Sequence, residues 1–366
     1  MILCSVAPGP GALTMPRVCR GLAETGHLVE VILERGTKNF VGAAAFVGHA
    51  AVVRKPTKSP RALVFAPANA GTLARLAHGM GETPVEEVYA AGIRPAIIVP
   101  SPEEGLLEHP AVRKNLEQLR EDGCRIVEAG EENLNPVDET VTAVLGGLGG
   151  PLSGMRILVT TGGTREPIDS VRFVGNRSSG KMGRSVAREA IKMGAEVTVI
   201  AANVEAREPG VEWVPVETVD ELREATVELA AESTALVMAA AVSDFKPATA
   251  PTEKVRRREG LNVEFVATED ILGSLRERNP DLFMVGFAAT HGDPVPDARD
   301  KLASKGVNLV VGNDISKEGI GFGADENEVY VVGPEGERFV PQASKSEIAR
   351  AILDELETEI KKERQR

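Results

Sequence analysis

The chain has 366 residues, 42% apolar and 26% charged, against about 100–200 residues for an ordinary domain, so two globular domains are expected, each able to bury its own core. Forty-two Lys and Arg against 54 Asp and Glu give a net charge of −12, which excludes a general affinity for polyanions, and with aromatic residues at 4% there is little to stack on bases. No run nears the about 20 apolar residues of a membrane span. Met1–Val6 lacks the basic region of a signal peptide, and Cys4, Cys19 and Cys124 are too sparse for a disulfide framework or zinc cluster, so a cytoplasmic protein is expected.

Met1–Val6 reads as a strand, Thr14–Thr25 as a helix and Leu28–Leu33 as the next strand. Ala62–Ala66 is a strand followed by a helix from Ala70; Arg94–Val99 is a strand, Pro110–Glu121 a helix and Arg125–Glu128 a final strand. Residues 146–154, rich in glycine and interrupted by Pro151, read as a linker between domains at 1–145 and 155–366. The apolar run Arg156–Thr161 then restarts the pattern. Strands follow at Ala195–Ile200, Leu236–Ala240, Leu282–Phe287 and Val307–Val311. Helices follow at Lys181–Met193, Val219–Ala231, Asp297–Ser304 and Ser344–Lys362. Strands alternating with helices predict two three-layer α/β domains with mainly parallel sheets.

In such sheets ligands sit beyond the carboxyl ends of the strands, so the segments that follow each apolar run carry the chemistry. After Val159, Gly162 and Gly163 allow close backbone approach and Thr164 adds a hydroxyl, a pattern that serves equally as a tight turn or as a phosphate contact. Asn176-Arg177-Ser178-Ser179-Gly180-Lys181-Met182-Gly183 opens a helix with free N–H groups and a cation; it lacks the hydroxyl residue of a P-loop and also fits a plain helix start. Met238, Ala239 and Ala240 end a strand in small residues that admit a flat group or simply pack closely, and Asp244 follows as an acceptor or metal ligand. Lys254-Val255-Arg256-Arg257-Arg258 is a cationic run in an acidic chain, suited to transferring phosphates or to a solvated face. Phe287 can stack on a base, and Lys301 and Lys305, four apart on one helix, can reach one triphosphate or face solvent.

The order of these motifs, completed by Asn313-Asp314 and Gly321-Phe322…Asp325-Glu326-Asn327, closely resembles phosphopantothenate–cysteine ligase, the C-terminal half of the bacterial bifunctional coenzyme A biosynthesis protein. The resemblance covers 155–355 and implies a Rossmann-like domain. It implies that CTP, with Mg2+, activates the carboxylate of 4′-phosphopantothenate as an acyl-cytidylate, which the amine of L-cysteine then attacks. By motif, Met238, Ala239, Ala240, Asp244, Lys254, Phe287, Lys301 and Lys305 resemble the nucleotide site. Gly162, Gly163, Thr164, Asn176, Arg177, Ser178, Ser179 and Gly180 match the substrate and phosphate segment. Asn176 and Lys254 stand where the family handles and forms the intermediate. A dimer through this domain is also implied. Two departures bear on the choice and affinity of the nucleotide: the family's Lys-Asn-Pro-Asp reads Ala267-Thr268-Glu269-Asp270, and its Gly-Phe-Ala-Ala-Glu-Thr ends in Thr290-His291.

Residues 1–145 resemble the flavin-dependent phosphopantothenoylcysteine decarboxylase of that protein, with a flavodoxin-like sheet, most clearly over Ala66–Met80 and Pro110–Leu116. Its chemistry is worn. Ala7-Pro8-Gly9-Pro10-Gly11-Ala12-Leu13-Thr14 replaces the loop that cradles the flavin phosphate, and each proline deletes a donor. No histidine stands at 54–61, Pro100-Ser101-Pro102-Glu103 replaces Pro-Ala-Met-Asn, and the flap with its cysteine is deleted between Gly130 and Pro136. Cys124 is expected to be structural. FMN binding and decarboxylation are therefore not expected, and a scaffold is. Rival readings are a fully bifunctional enzyme, a non-catalytic regulatory subunit and a dinucleotide oxidoreductase; the last lacks a correctly placed G-x-G-x-x-G.

Overall fold

The computed structural model describes residues 1–102, 105–127, 136–205, 211–251, 253–254, 262–317, 321 and 323–365. The chain divides into two compact units, Met1–Gly150 and Pro151–Arg366. The glycine-rich segment read as a linker is shared between them. Its first two residues close a helix of the first unit, and Leu152 is fully buried in the core of the second.

The first unit runs β1 (Ile2–Val6), α1 (Met15–Glu24), β2 (Val29–Leu33), β3 (Ala51–Val52), β4 (Ala62–Ala68), α2 (Ala70–Ala77), α3 (Pro84–Ala90), β5 (Ala96–Pro100), α4 (Pro110–Glu121), β6 (Arg125–Ile126) and α5 (Pro136–Gly147). Its six strands are parallel in the order β3-β2-β1-β4-β5-β6. Leaving out the two-residue edge strand β3, this is the flavodoxin-like order that the resemblance implies. Alternation along the strands sorts the core into two layers. Ile2, Cys4, Val6 and Val64 pack with α1 and α5, whereas Leu3, Leu63 and Phe65 pack with α2, α3 and α4. Short helices start where side chains satisfy their free amides. The Asn69 side chain accepts from Thr72 N at 3.0 Å, and Thr83 and Glu86 form a reciprocal capping box on α3. Cys124 is buried with its Sγ 3.3 Å from Tyr89 Oη.

The second unit runs β7 (Arg156–Gly162), β8 (Arg165–Pro167), β9 (Phe173–Gly175), α6 (Lys181–Lys192), β10 (Glu196–Ala202), β11 (Glu212–Val216), α7 (Val219–Ala230), β12 (Ala235–Met238), β13 (Phe245–Pro247), β14 (Phe265–Ala267), α8 (Ile271–Arg278), β15 (Phe283–Thr290), α9 (Val295–Lys305), β16 (Leu309–Asp314), β17 (Glu326–Gly333), β18 (Gly336–Ser344) and α10 (Lys345–Gln365). Its main sheet is ordered β11-β10-β7-β12-β15-β16-β17-β18. The first six are parallel and the last two antiparallel. Counted without the two short ribbons β8–β9 and β13–β14, the parallel part has the Rossmann order, reversing between β7 and β12. Val159, Val199 and Val237 face α6 and α10, while Leu158, Ile200 and Leu236 face α7 and α8. No described helix is long and apolar enough to cross a membrane.

Candidate active site

The order reversal leaves a crevice at the carboxyl ends of β7 and β12, where sheets of this order bind ligands. There the chain leaves β7 through glycines for steric reasons that can be stated. Gly162 has φ +86°, and a Cβ on it would lie 2.0 Å from Ala202 O; a Cβ on Gly183, in the first turn of α6, would lie 2.5 Å from Thr161 Oγ1. Helix α6 is therefore drawn tightly onto β7, and Thr161 Oγ1 donates to Gly180 O at 2.7 Å.

A cavity of about 760 Å³ opens at this crevice. It is lined by Asn176, Arg177, Ser178, Ser179 and Gly180 from the segment before α6, and by Met238–Asp244 after β12. Phe287 on β15 and Lys301 and Lys305 on α9 complete the set of expected residues that it brings together. Lys301 is half-buried and donates to Phe287 O at 2.6 Å. Burial pulls its proton affinity below the ordinary lysine value, Lys305 adds to this, and Asp244 and Asp270 oppose it. Lys305 pairs at 2.8 Å with Asp270, the residue that caps α8. Burial works to raise the Asp270 carboxyl, but the Lys305 hydrogen bond and the Gly273 amide outweigh it and hold the carboxyl below its usual range. The two lysines thus differ: one is tied to a backbone carbonyl, the other to a carboxylate. Asn176 Nδ2 donates to Val242 O at 2.8 Å, which anchors its amide on the cavity wall.

Gly162, Gly163 and Thr164 are placed otherwise than the motif suggested. All three are buried behind the wall and brace it. Ala241 N donates to Gly162 O at 2.8 Å, Thr164 N to Ala241 O at 3.2 Å, and Ser243 N to Thr164 Oγ1 at 3.0 Å. Of the two readings left open for the glycine pair, the structure supplies the tight turn. Lys254 is exposed between β13 and β14 and does not line the cavity. Arg256, Arg257, Arg258 and Phe322 lie outside the described residues, as do Glu103 and the site of the deleted flap.

Among the further side chains on the wall are Thr268, Asn327, Lys181 and Lys345, none of which was given a role; the first three stood inside quoted motifs. Lys345 opens the last helix, and nothing local in Ser344-Lys345-Ser346 announces that it turns back to carbonyls more than twenty residues upstream. Among the described residues no group of three or more His, Cys, Asp and Glu is placed to hold a metal ion.

In the first unit the corresponding loop after β1 offers few donors. Pro8 and Pro10 have no N–H, and Ala12 N donates to Gly9 O at 3.0 Å. A Cβ on Gly11 would lie 3.1 Å from Pro67 and 3.3 Å from Pro102, so the loop is backed by proline rings. This donor set does not fit a flavin phosphate, which is held by converging N–H groups.

The family model described as the DNA/pantothenate metabolism flavoprotein C-terminal domain matches residues 152–360, and the one described as Flavoprotein matches residues 2–148. The chain is 34% identical over 314 residues to the coenzyme A biosynthesis bifunctional protein CoaBC of Bacillus subtilis, covering 80% of this chain and 77% of that one. It is 35% identical over 402 residues to the protein of the same name from Mycobacterium tuberculosis, covering 98% and 96%. The crystal structure of a CoaBC C-terminal domain is similar at 33% identity and TM-score 0.50, over 58% of this chain and 98% of that one.

Proposed function

The chain belongs to the family of coenzyme A biosynthesis bifunctional proteins CoaBC and carries that family's ligase-type C-terminal domain, and from that premise we propose that it joins 4′-phosphopantothenate to L-cysteine with CTP as the activating nucleotide. The observation that carries this is the cavity in which Asn176, the end of β12 at Met238 with the small residues Ala239 and Ala240 that follow it, Asp244, Phe287 and two lysines meet at the reversal of strand order.

A carboxylate does not react with an amine until its oxygen becomes part of a good leaving group. In the first step a carboxylate oxygen of phosphopantothenate attacks the α-phosphate, forming a C–O–P anhydride and expelling pyrophosphate. In the second the cysteine amine attacks the acyl carbon, an amide forms, CMP leaves and the amine gives up a proton. Lys301 and Lys305 supply positive charge against the polyphosphate in a partly buried setting, where such charge counts for more than in water. Phe287 offers a ring, and the Ala239–Ala240 backbone a flat, narrow approach, for the base. Exposed Lys254 lies on the connection between β13 and β14, and its part would be to reach the reacting phosphates. Asn176, anchored through Val242 O, sits at the mouth of α6, where it would orient the activated acyl group for the amine. The nucleotide would bring Mg2+ with it, Asp244 being the wall carboxylate nearest in kind to a metal ligand, and the ion would offset charge on the phosphates.

The N-terminal unit is read as a flavin-free scaffold, supported by the proline-backed loop after β1. For the second unit, exposed Val171, Phe173, Phe245, Phe265 and Val266 on the two ribbons support a dimer through this domain. The test of the ligase reading is release of pyrophosphate from the full chain incubated with phosphopantothenate, cysteine, Mg2+ and either CTP or ATP. Release with CTP supports it, and release with neither nucleotide defeats it. Stoichiometric FMN absorbance of the purified protein would defeat the scaffold reading.

A further inference from the structure

Two ammonium groups converge on one short stretch of the cavity wall, from the heads of two different helices. Lys345, the first residue of α10, is 7% exposed and donates to Gly321 O at 3.2 Å and Ala324 O at 2.5 Å. Lys181, the first residue of α6, donates to Gly323 O at 3.0 Å and to Asp325 Oδ1 at 2.6 Å. Lys181, Gly321, Gly323 and Lys345 all line the cavity. The two cations differ in how firmly they are held. A buried ammonium surrendered its hydration when the chain folded and cannot leave its carbonyls without stranding its charge. The Lys181–Asp325 pair is exposed, with the lysine side chain 41% and the carboxylate 89% accessible, and such pairs are weak and exchange readily.

Among the described residues at this wall, two ammonium groups face one carboxylate. Burial is the main cause holding the Lys345 proton affinity below the ordinary value, and the Lys181 charge adds to it, so the pair of cations repel one another across Asp325. An anion entering the cavity would relieve that repulsion, and a phosphate group, with several acceptor oxygens, is the chemistry that the ligase reading brings there.

On that reading, we propose that Lys345 is a positioning residue that fixes the carbonyls of Gly321 and Ala324, and that Lys181 is an exchangeable cation which Asp325 holds when no ligand is bound and yields to a phosphate of the bound ligand. Asp325 is then a competitor of the ligand, and its removal tightens binding.

The test uses the full chain and pyrophosphate as probe, by titration calorimetry. Asp325→Asn is expected to bind pyrophosphate about two- to fivefold more tightly, the range set by a weak exposed pair. Lys181→Met is expected to bind it about tenfold or more weakly, as for loss of a charge-assisted hydrogen bond. In the Lys181→Met background Asp325→Asn is expected to change nothing, because the competition has lost its object. Lys345→Met weakens pyrophosphate binding and raises the nucleotide KM more than it lowers kcat, and Lys345→Gln, which keeps a donor for the carbonyls, recovers part of the loss. Asp325→Asn binding no better than wild type, or equally better without Lys181, overturns the exchange; Lys345→Met with unaltered binding and KM overturns the positioning role. A wild-type chain that binds no pyrophosphate overturns this inference and the ligase reading together, whereas pyrophosphate binding with unaltered variants overturns the inference alone.

Discussion

Strands β1 and β7 hold the same place in their two sheets, each beside the point where strand order reverses, yet the loops that leave them offer a ligand very different things. After β1 two prolines remove donors, Ala12 N bonds back to Gly9 O, and Gly11 is backed by Pro67 and Pro102. After β7 a tight glycine turn and the β8–β9 ribbon bring Asn176–Gly180 to the head of a twelve-residue helix, over a cavity of about 760 Å³. The same topology makes both crevices, and the residues that line them differ in the donors they present to a ligand.

The largest effect that would break this contrast belongs to Asn176. Asn176→Asp removes the donor that anchors the side chain to Val242 O and sets a carboxylate against that carbonyl. Amide formation is expected to fall by about 10²–10³-fold, in line with loss of one well-placed donor, while pyrophosphate release in the first step persists. Quench-flow separation of the two steps checks this. Undiminished overall turnover would remove Asn176 from the site.

Next in size is a paired steric test of the two loops. Gly162→Ala places a Cβ 2.0 Å from Ala202 O on a residue with φ +86°, where nothing flexible can yield. The C-terminal unit is expected to lose about 3 kcal/mol and its Tm to drop by about 6–12 °C. Gly11→Ala meets only proline ring carbons, the nearest at 3.1 Å, and costs about 1 kcal/mol. Calorimetric melting of the two variants compares them directly, and equal costs would mean that the two turns are equally constrained.

Much of this molecule could be read before its structure, and where reading failed the cause is physical. Helix α4 was placed to the residue, because Pro110 opens it and apolar Val112, Leu116 and Leu119 keep helical spacing down to Gly123. Strands β7, β10, β12, β15 and β16 are legible because both faces are covered and their sequences are largely apolar runs. Strand β11 was missed: on the sheet edge, with Trp213 and Pro215 half-exposed or exposed, it has no such run. Helix α3 was also missed, although Thr83-x-x-Glu86 is a capping-box signature that could have found it. Within the site, residues at the carboxyl ends of parallel strands were found by that rule. Asn327, known only from its motif, lies on antiparallel β17, and Lys345 opens α10 after β18, so the rule applies to neither. Gly162, Gly163 and Thr164 match the substrate and phosphate segment only by motif, and the structure sets them behind the cavity wall; a glycine turn reads alike in sequence whether a ligand or another strand comes close.

A smaller effect sharpens the contrast through pH. Lys301 holds its proton less firmly than an ordinary lysine, chiefly because it is buried. As pH rises through its lowered value, the ammonium that faces the phosphates is lost and nucleotide affinity falls. Stability moves the other way: in that window the unfolded chain binds more protons than the folded one, so the unliganded protein gains stability as pH rises. The two opposed slopes, read by nucleotide titration and by melting, are expected to vanish together in Lys301→Met. Parallel slopes would show that Lys301 does not face the nucleotide.

The smallest effect concerns Asp270, which caps α8 and pairs with Lys305 with 46% and 36% of the respective side chains accessible. A pair so exposed contributes less than about 1 kcal/mol, and Asn retains the cap. Asp270→Asn should therefore change the melting temperature little while releasing Lys305 for phosphate, which lowers the nucleotide KM slightly. The sign with acid is fixed by the lowered carboxyl: its contribution is complete above the unfolded value of about 3.9 and disappears as pH falls through the folded one. Asp270→Asn should flatten that acid limb and move the alkaline slope that belongs to Lys301 slightly to lower pH, because it removes one of the two carboxylates that oppose the lowering. If the variant instead raised the nucleotide KM, Asp270 would be orienting Lys305 towards the phosphates rather than restraining it, and the departure Ala267-Thr268-Glu269-Asp270 would have kept its one necessary residue.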